Sequence, residues 1–205
     1  TYYGLNESYA HKVAQLQAHF TSGNDIYIAS RSLNNRYWFI KEKGARLQFP
    51  RWYRFDRVEN ELTPVLAEYS TSADVIAEQY LRPYYPMQYK ASDGRDIHGY
   101  LAVPQSADLK KVPLVVVAHG GPWARFKSHY SPQIQMLLNR GIAVFMPNFR
   151  ASTGYGRNYM LSAKGEFGNG RVQQDIIDGV NQVLSLSIGD PQKLGIMGHS
   201  FGGFS

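Results

Sequence analysis

The chain has 205 residues, 43% hydrophobic and 19% charged, which is enough apolar mass for one ordinary core or two unequal pieces. Its formal net charge is +6, it contains no cysteine, and no apolar run is long enough to cross a membrane as a helix. Disulfides and thiolate metal sites are therefore excluded, and no membrane partner is expected.

The opening "TYYGLNESYAHK" lacks the basic-then-apolar layout of a signal peptide and has no initiating Met, which leaves cytoplasm and periplasm both open. A helix is expected over "YAHKVAQLQAHF", where Val13, Leu16 and Phe20 recur at helical spacing. Short strand-like runs follow: "DIYIAS", "RYWFIKEK", "RWYRFDRV" and "LTPVLAE", with Asn34-Asn35 and Glu59-Asn60 as turns. Together they have about the length of one propeller blade, which cannot bury its own faces alone.

Eight Lys or Arg lie between Arg31 and Arg57 against only Glu42 and Asp56, interleaved with Tyr37, Trp38, Phe39, Phe49, Trp52, Tyr53 and Phe55. Such a mixture suits single-stranded nucleic acid. It equally suits alternating strands with aromatics on one face and charges on the other. No RNP-like or KH-like signature accompanies it, so the expectation is a sheet and no nucleic-acid partner.

After the Pro-rich connector "LRPYYPMQY" the pattern changes. "MQYKAS" and "IHGYLAVP" form an expected hairpin about Asp93-Gly94. "PLVVVAH", "IAVFMPNF" and "KLGIMGH" are apolar runs expected as strands buried on both faces. Between them lie two expected helices. The first is "SPQIQMLLNR", with Ser131 as N-cap, Pro132 at the first position and Gly141 closing it; the second is the amphipathic "VQQDIIDGVNQVLSLS". Strands alternating with helices predict an α/β fold with a mostly parallel sheet.

The last of these strands runs into Gly198-His199-Ser200-Phe201-Gly202, a match to G-x-S-x-G. That motif marks a sharp strand-to-helix turn with the serine oxygen exposed above the sheet, the nucleophile elbow of α/β-hydrolases. The expected oxyanion hole combines the Phe201 N–H with an N–H of Gly120 or Gly121, since His119-Gly120-Gly121-Pro122 ends the first buried strand. No cofactor is expected. "GYGRNY" from Gly154 lacks the third glycine of a dinucleotide fingerprint, there is no G-K-[ST] loop, and the six histidines show no H-E-x-x-H spacing for a metal. His199 adjoins the serine and is read as packing or loop support.

In this order "DGRDIHGYLAVP", "VVVAHGGPW", "NFRASTGYG" and "GIMGHSFGG" resemble the prolyl oligopeptidase family of serine peptidases, in particular its acylaminoacyl-peptidase and dipeptidyl-peptidase-like members. In that family a β-propeller precedes an α/β-hydrolase domain. The resemblance implies that residues 1–82 end a propeller-like domain with a leading helix, and that 83–205 begin the catalytic domain. It implies Ser200 as nucleophile, Phe201 and Gly121 as oxyanion donors, and a short or N-terminally blocked peptide as substrate. His119 and Trp123 in the glycine loop, and Arg150 and Tyr155 in "NFRASTGYG", would lie near the substrate. Some members use a tyrosine hydroxyl where His119 stands, so a backbone donor is implied here. Ala151 stands where glycine is usual.

The order of the triad in such hydrolases is Ser, then Asp or Glu, then His. Ser200 stands five residues before the end of the chain, so both partners are expected beyond Ser205. The chain is then a middle slice of a longer enzyme, inactive alone because a serine hydroxyl without a base is a weak nucleophile. A carboxylesterase and a non-catalytic binding fragment are the alternatives.

Overall fold

The computed structural model describes residues 6–20, 23–65, 75–163, 165–168 and 170–205. It divides into two units, Thr1–Leu81 with Ser128–Ser131, and Arg82–Lys127 with Pro132–Ser205.

In the first unit, helix α1 (Glu7–Ala18) starts at Asn6, whose side chain accepts the Tyr9 N–H at 3.0 Å. Val13 and Leu16 turn inward and join Trp38, Ile40 and Phe55, with Phe20 packed against the cluster. Strands β1 (Asp25–Arg31), β2 (Tyr37–Lys43), β3 (Arg51–Asp56) and β4 (Glu61–Val65) form an antiparallel meander in the order β1-β2-β3-β4. Residues 66–68 of the run expected as the fourth strand lie outside the described residues. The turns fall at Asn35 and Asn60, which hold φ of 56° and 54°, a left-handed conformation that asparagine tolerates. Pro64, which cannot donate to a ladder, sits on β4 at the end of the strand order.

The expected separation of aromatics from charges holds only in part. Along β2, Trp38, Ile40 and Glu42 are buried while Phe39 is exposed. Glu42 is accommodated because Asn24 Nδ2 and the Tyr53 hydroxyl each donate to it at 2.8 Å. Burial and this carboxylate push the Tyr53 hydroxyl up to about 12. The basic residues lie over rings of the same unit: Arg57 over Trp38 at 4.6 Å, Lys41 over Trp52 at 4.7 Å, and Arg36 and Arg54 over Tyr37 at 5.2 Å.

The second unit contains β5 (Tyr85–Lys90), β6 (Asp96–Ala102), β7 (Leu114–Ala118), α2 (Pro132–Asn139), β8 (Ala143–Asn148), α3 (Arg157–Leu161), α4 (Arg171–Ser185), β9 (Leu194–Gly198) and α5 (Phe201–Phe204). The strand order is β5-β6-β8-β7-β9. Strands β8, β7 and β9 are parallel, whereas β6 pairs antiparallel with both β5 and β8. The sheet is thus mixed, with three of its five strands parallel, because the hairpin's second strand extends the parallel part from its β8 side. Flanked on both edges, β8 is buried at all six residues. Val172, Ile176 and Val183 of α4 pack on this sheet with Phe145 and Leu101.

Strand β9 departs from expectation. Read as buried on both faces, it leaves Leu194 48% and Ile196 62% exposed, because among the described residues it pairs only with β7. Helix α3 leaves no signal in the sequence pattern, since five residues are too few to show an apolar period.

Candidate active site

Parallel pairing sets the site. Gly198 at the end of β9 is in register with Ala118 at the end of β7, so both strands deliver their following loops to the same edge of the sheet. Ser200 follows β9, is exposed, and holds φ 56° and ψ −124°, a region that L-residues occupy under strain. The flanking glycines are required by contact. A Cβ on Gly198 would lie 2.1 Å from the Gly202 carbonyl oxygen, and one on Gly202 would lie 2.2 Å from the Ala118 oxygen. The elbow therefore packs tightly on the end of β7.

Substituting Gly202→Ala should push α5 off β7, since the atoms in its way are backbone. Such displacement of a reacting group costs on the order of 10²-fold in rate, and the full-length variant should lose kcat by about that factor. A variant of unchanged kcat would show that the elbow yields freely.

The glycine loop meets the elbow from the other side. A Cβ on Gly120 would sit 3.1 Å from the His199 carbonyl oxygen, 3.4 Å from Ser200 Cβ and 3.9 Å from Ser200 Oγ. Gly121 holds φ 127°, with the amides of Trp123 and Ala124 where a side chain would begin, and the Gly121–Pro122 bond is cis. The Phe201 N–H lies in the first helical turn, where no intrahelical acceptor is available. Ser200, Phe201, Gly120 and Gly121 are thus gathered at one edge of the sheet.

Sequence reasoning overlooked the groups that hold this assembly. Phe149, fully buried, stacks on the His119 ring at 4.2 Å and packs against Phe201 at 5.9 Å, so both sides of the site lean on one ring. Asn148, also fully buried, clamps the loop. Its Oδ1 accepts the Phe126 N–H at 2.7 Å, and its Nδ2 donates to the Phe126 carbonyl at 3.2 Å and the Tyr155 hydroxyl at 2.8 Å. His119 is 8% exposed, with Nε2 2.8 Å from Ser152 Oγ and Nδ1 2.8 Å from the Gly120 oxygen. Burial lowers its pKa, with the bond to the Gly120 carbonyl opposing.

Arg150, expected near the substrate, is instead a buried anchor. Its side chain is 4% exposed; Nε and Nη2 donate to Asp175 at 2.8 and 2.6 Å, and Nη1 and Nη2 to Asp93 at 2.9 and 3.2 Å. Its own N–H also donates to Asp175 at 2.9 Å. The guanidinium holds the Asp93 carboxyl down at about 2. Burial pushes Asp175 up while the Arg150 bonds pull against it, and the two carboxylates keep the guanidinium charged. Next to it Ala151, buried, holds φ 84°, a conformation glycine adopts more readily. Tyr155 stacks on His98 at 4.5 Å, and the Arg125 guanidinium lies 5.9 Å from the centroid of the Tyr155 ring. Trp123 is 61% exposed. His199 is exposed and its carbonyl accepts the Gly202 N–H at 3.0 Å.

A strand–serine–helix elbow at the C-terminal edge of parallel strands, faced by a glycine loop from the adjoining strand, is the layout of an α/β-hydrolase site. Known proteins agree. Residues 128–205 match the prolyl oligopeptidase family. Over 188 residues the chain is 32% identical to dipeptidyl aminopeptidase BIII of Pseudoxanthomonas mexicana, covering 88% of this chain and 26% of that protein. It is 38% identical over 110 residues to the mouse acylamino-acid-releasing enzyme, covering 53% of this chain and 15% of that one. The puromycin-hydrolyzing peptidase of Mycobacterium tuberculosis superposes with a TM-score of 0.71 at 26% identity, over 82% of this chain and 26% of its own. Residues 128–205 thus belong to the prolyl oligopeptidase family of serine peptidases, and the chain spans about a quarter or less of the length of these relatives.

Proposed function

We propose that the protein is a serine peptidase that hydrolyses short or N-terminally blocked peptides through an acyl-enzyme on Ser200. The observation that carries this is the strained Ser200 backbone, exposed between two glycines and pressed against Gly120. In this reading Ser200 Oγ attacks the peptide carbonyl, and the N–H groups of Phe201 and Gly121 receive the negative charge that develops on its oxygen. The exposed ring of Trp123, just beyond the glycine loop, offers the substrate an apolar contact. Turnover needs an imidazole base at Ser200 Oγ; among the described residues no histidine is hydrogen-bonded to that oxygen. The four-stranded meander of the first unit is read as a blade of a β-propeller, supported by its simple strand order and its single buried face.

The test is hydrolysis by the full-length protein of acyl-amino-acid anilides, dipeptidyl anilides and p-nitrophenyl esters, with fluorophosphonate labelling mapped by peptide mass. Anilide turnover blocked by label on Ser200 is the expected result. Turnover of esters with none of the anilides would make the protein a carboxylesterase, and label on another residue would remove Ser200 from the reaction.

A further inference from the structure

The buried imidazole of His119 has no part in the attack just described, yet both its nitrogens are committed. The ring lies flat on Phe149, 4.2 Å away and 16° from parallel, with the edge of Phe126 at 5.5 Å. A carbonyl oxygen can only accept, so the 2.8 Å contact between Nδ1 and Gly120 places the ring proton on Nδ1. On the neutral ring Nε2 is then an acceptor, and Ser152 Oγ at 2.8 Å donates to it.

The carbonyl of Gly120 and the N–H of Gly121 are opposite ends of one planar peptide group. A hydrogen bond to that carbonyl fixes the rotation of the plane between two residues that have no side chains to fix it. It also draws electron density toward the oxygen, which makes the Gly121 N–H a better donor, as in any chain of polarised hydrogen bonds.

We infer that His119, held by Ser152, is a positioning residue that orients and polarises the Gly120–Gly121 peptide so that its N–H meets the oxyanion. The inference rests on the oxyanion assignment proposed above. The support continues inward. Ser152 donates its N–H to the Phe149 carbonyl at 3.0 Å, and the neighbouring Arg150 is anchored on Asp175 of α4. A line of contacts therefore runs from a helix behind the sheet to the donor in front of it. No proton leaves His119 during the reaction; its work is geometric and electrostatic.

The test uses the full-length protein with an N-acyl amino-acid ester and the matching thiono ester, whose sulfur is a poorer hydrogen-bond acceptor. Wild-type protein should prefer the oxygen substrate strongly. His119→Phe preserves the stacking on Phe149 and removes both hydrogen bonds. It should lower kcat by about 10–10²-fold, short of the roughly 10²–10³-fold measured for outright loss of an oxyanion donor, with KM within about twofold. It should also narrow the oxygen-over-sulfur preference. His119→Asn, whose amide N–H falls near the place of Nδ1–H, should restore most of both. Ser152→Ala should fall between them and Ser152→Thr near wild type, and these two carry the test if His119→Phe does not fold. The inference is overturned if His119→Phe keeps the wild-type kcat and preference, or if His119→Asn restores neither. A wild-type protein with no preference for oxygen overturns the oxyanion assignment itself. A strong wild-type preference that His119→Phe leaves intact overturns only the role of His119.

Discussion

Replacing Ser200 by alanine in the full-length protein is expected to lower kcat by about 10⁴–10⁶-fold, the range seen when a triad nucleophile is removed and only binding and oxyanion stabilisation remain. KM should change little, because the hydroxyl contributes to the attack and not to holding the ground state. A second substitution separates chemistry from strain. Ser200 holds φ 56° and ψ −124°, where a Cβ crowds the backbone and costs on the order of 1–3 kcal/mol. Glycine occupies this region freely but loses about 0.5–1 kcal/mol more chain entropy on folding. Ser200→Gly should therefore be as inactive as Ser200→Ala yet more stable than either, by about 1 kcal/mol in denaturant unfolding. An alanine variant that keeps a tenth of the wild-type kcat would remove Ser200 from the mechanism. A glycine variant less stable than wild type would show that the elbow stores no strain.

The second large effect concerns stability. Asp175 is fully buried and takes three hydrogen bonds from Arg150, whose side chain is itself only 4% exposed. Asp175→Ala would leave the guanidinium buried with Asp93 alone, whose side chain is 24% exposed at the turn between β5 and β6. Breaking one partner of such a pair typically costs about 3–5 kcal/mol, because a buried charge is left uncompensated. Replacing both ends, Arg150→Met with Asp175→Leu, should cost less than the sum of the single changes, as expected for residues in direct contact. Chemical unfolding of the wild type, Asp175→Ala, the two single changes and the double variant measures this. A loss below about 1 kcal/mol for Asp175→Ala would mean that Arg150 finds another partner or reaches water. Because Arg150 and Ser152 share one loop, the alanine variant should also lose part of its kcat at temperatures where it remains folded.

Much of this site was legible in the sequence, for reasons tied to local sterics. The runs that became β7 and β8 announce themselves because strands flanked on both sides and both faces carry no polar alternation. Helix α4 shows its 3.6-residue period, and the elbow shows its glycines, since nothing larger fits beside Ala118. What escaped notice was polar and buried: Asn148, Ser152 and Asp175. In a linear pattern Ser152 and Asp175 read as solvent-facing and Asn148 only as part of a buried run; their partners, from 22 to 33 positions away, explain their burial. The resemblance implies a place near the substrate for Arg150, but it cannot show that two carboxylates distant in the chain, Asp93 and Asp175, close on its guanidinium. Strand β9 is more exposed than its apolar run predicts, because such a run reports what a strand can tolerate, whereas exposure depends on which neighbours it has.

By itself, then, the sequence determined the order of strands and helices, the bend at Ser200 and the kind of chemistry that bend serves, since each follows from short-range sterics and periodicity. Tertiary structure decided which strands became neighbours. Pairing β9 with β7 rather than β8 is what brings Gly120 to Ser200 across 80 positions of chain. It also decided which polar groups are held dry beneath them. A hydrogen bond from His119 to Gly120 lies between adjacent residues, but the ring is kept there by Ser152 and Phe149 from a different strand's end. The orientation of the donor therefore depends on packing that no local pattern records.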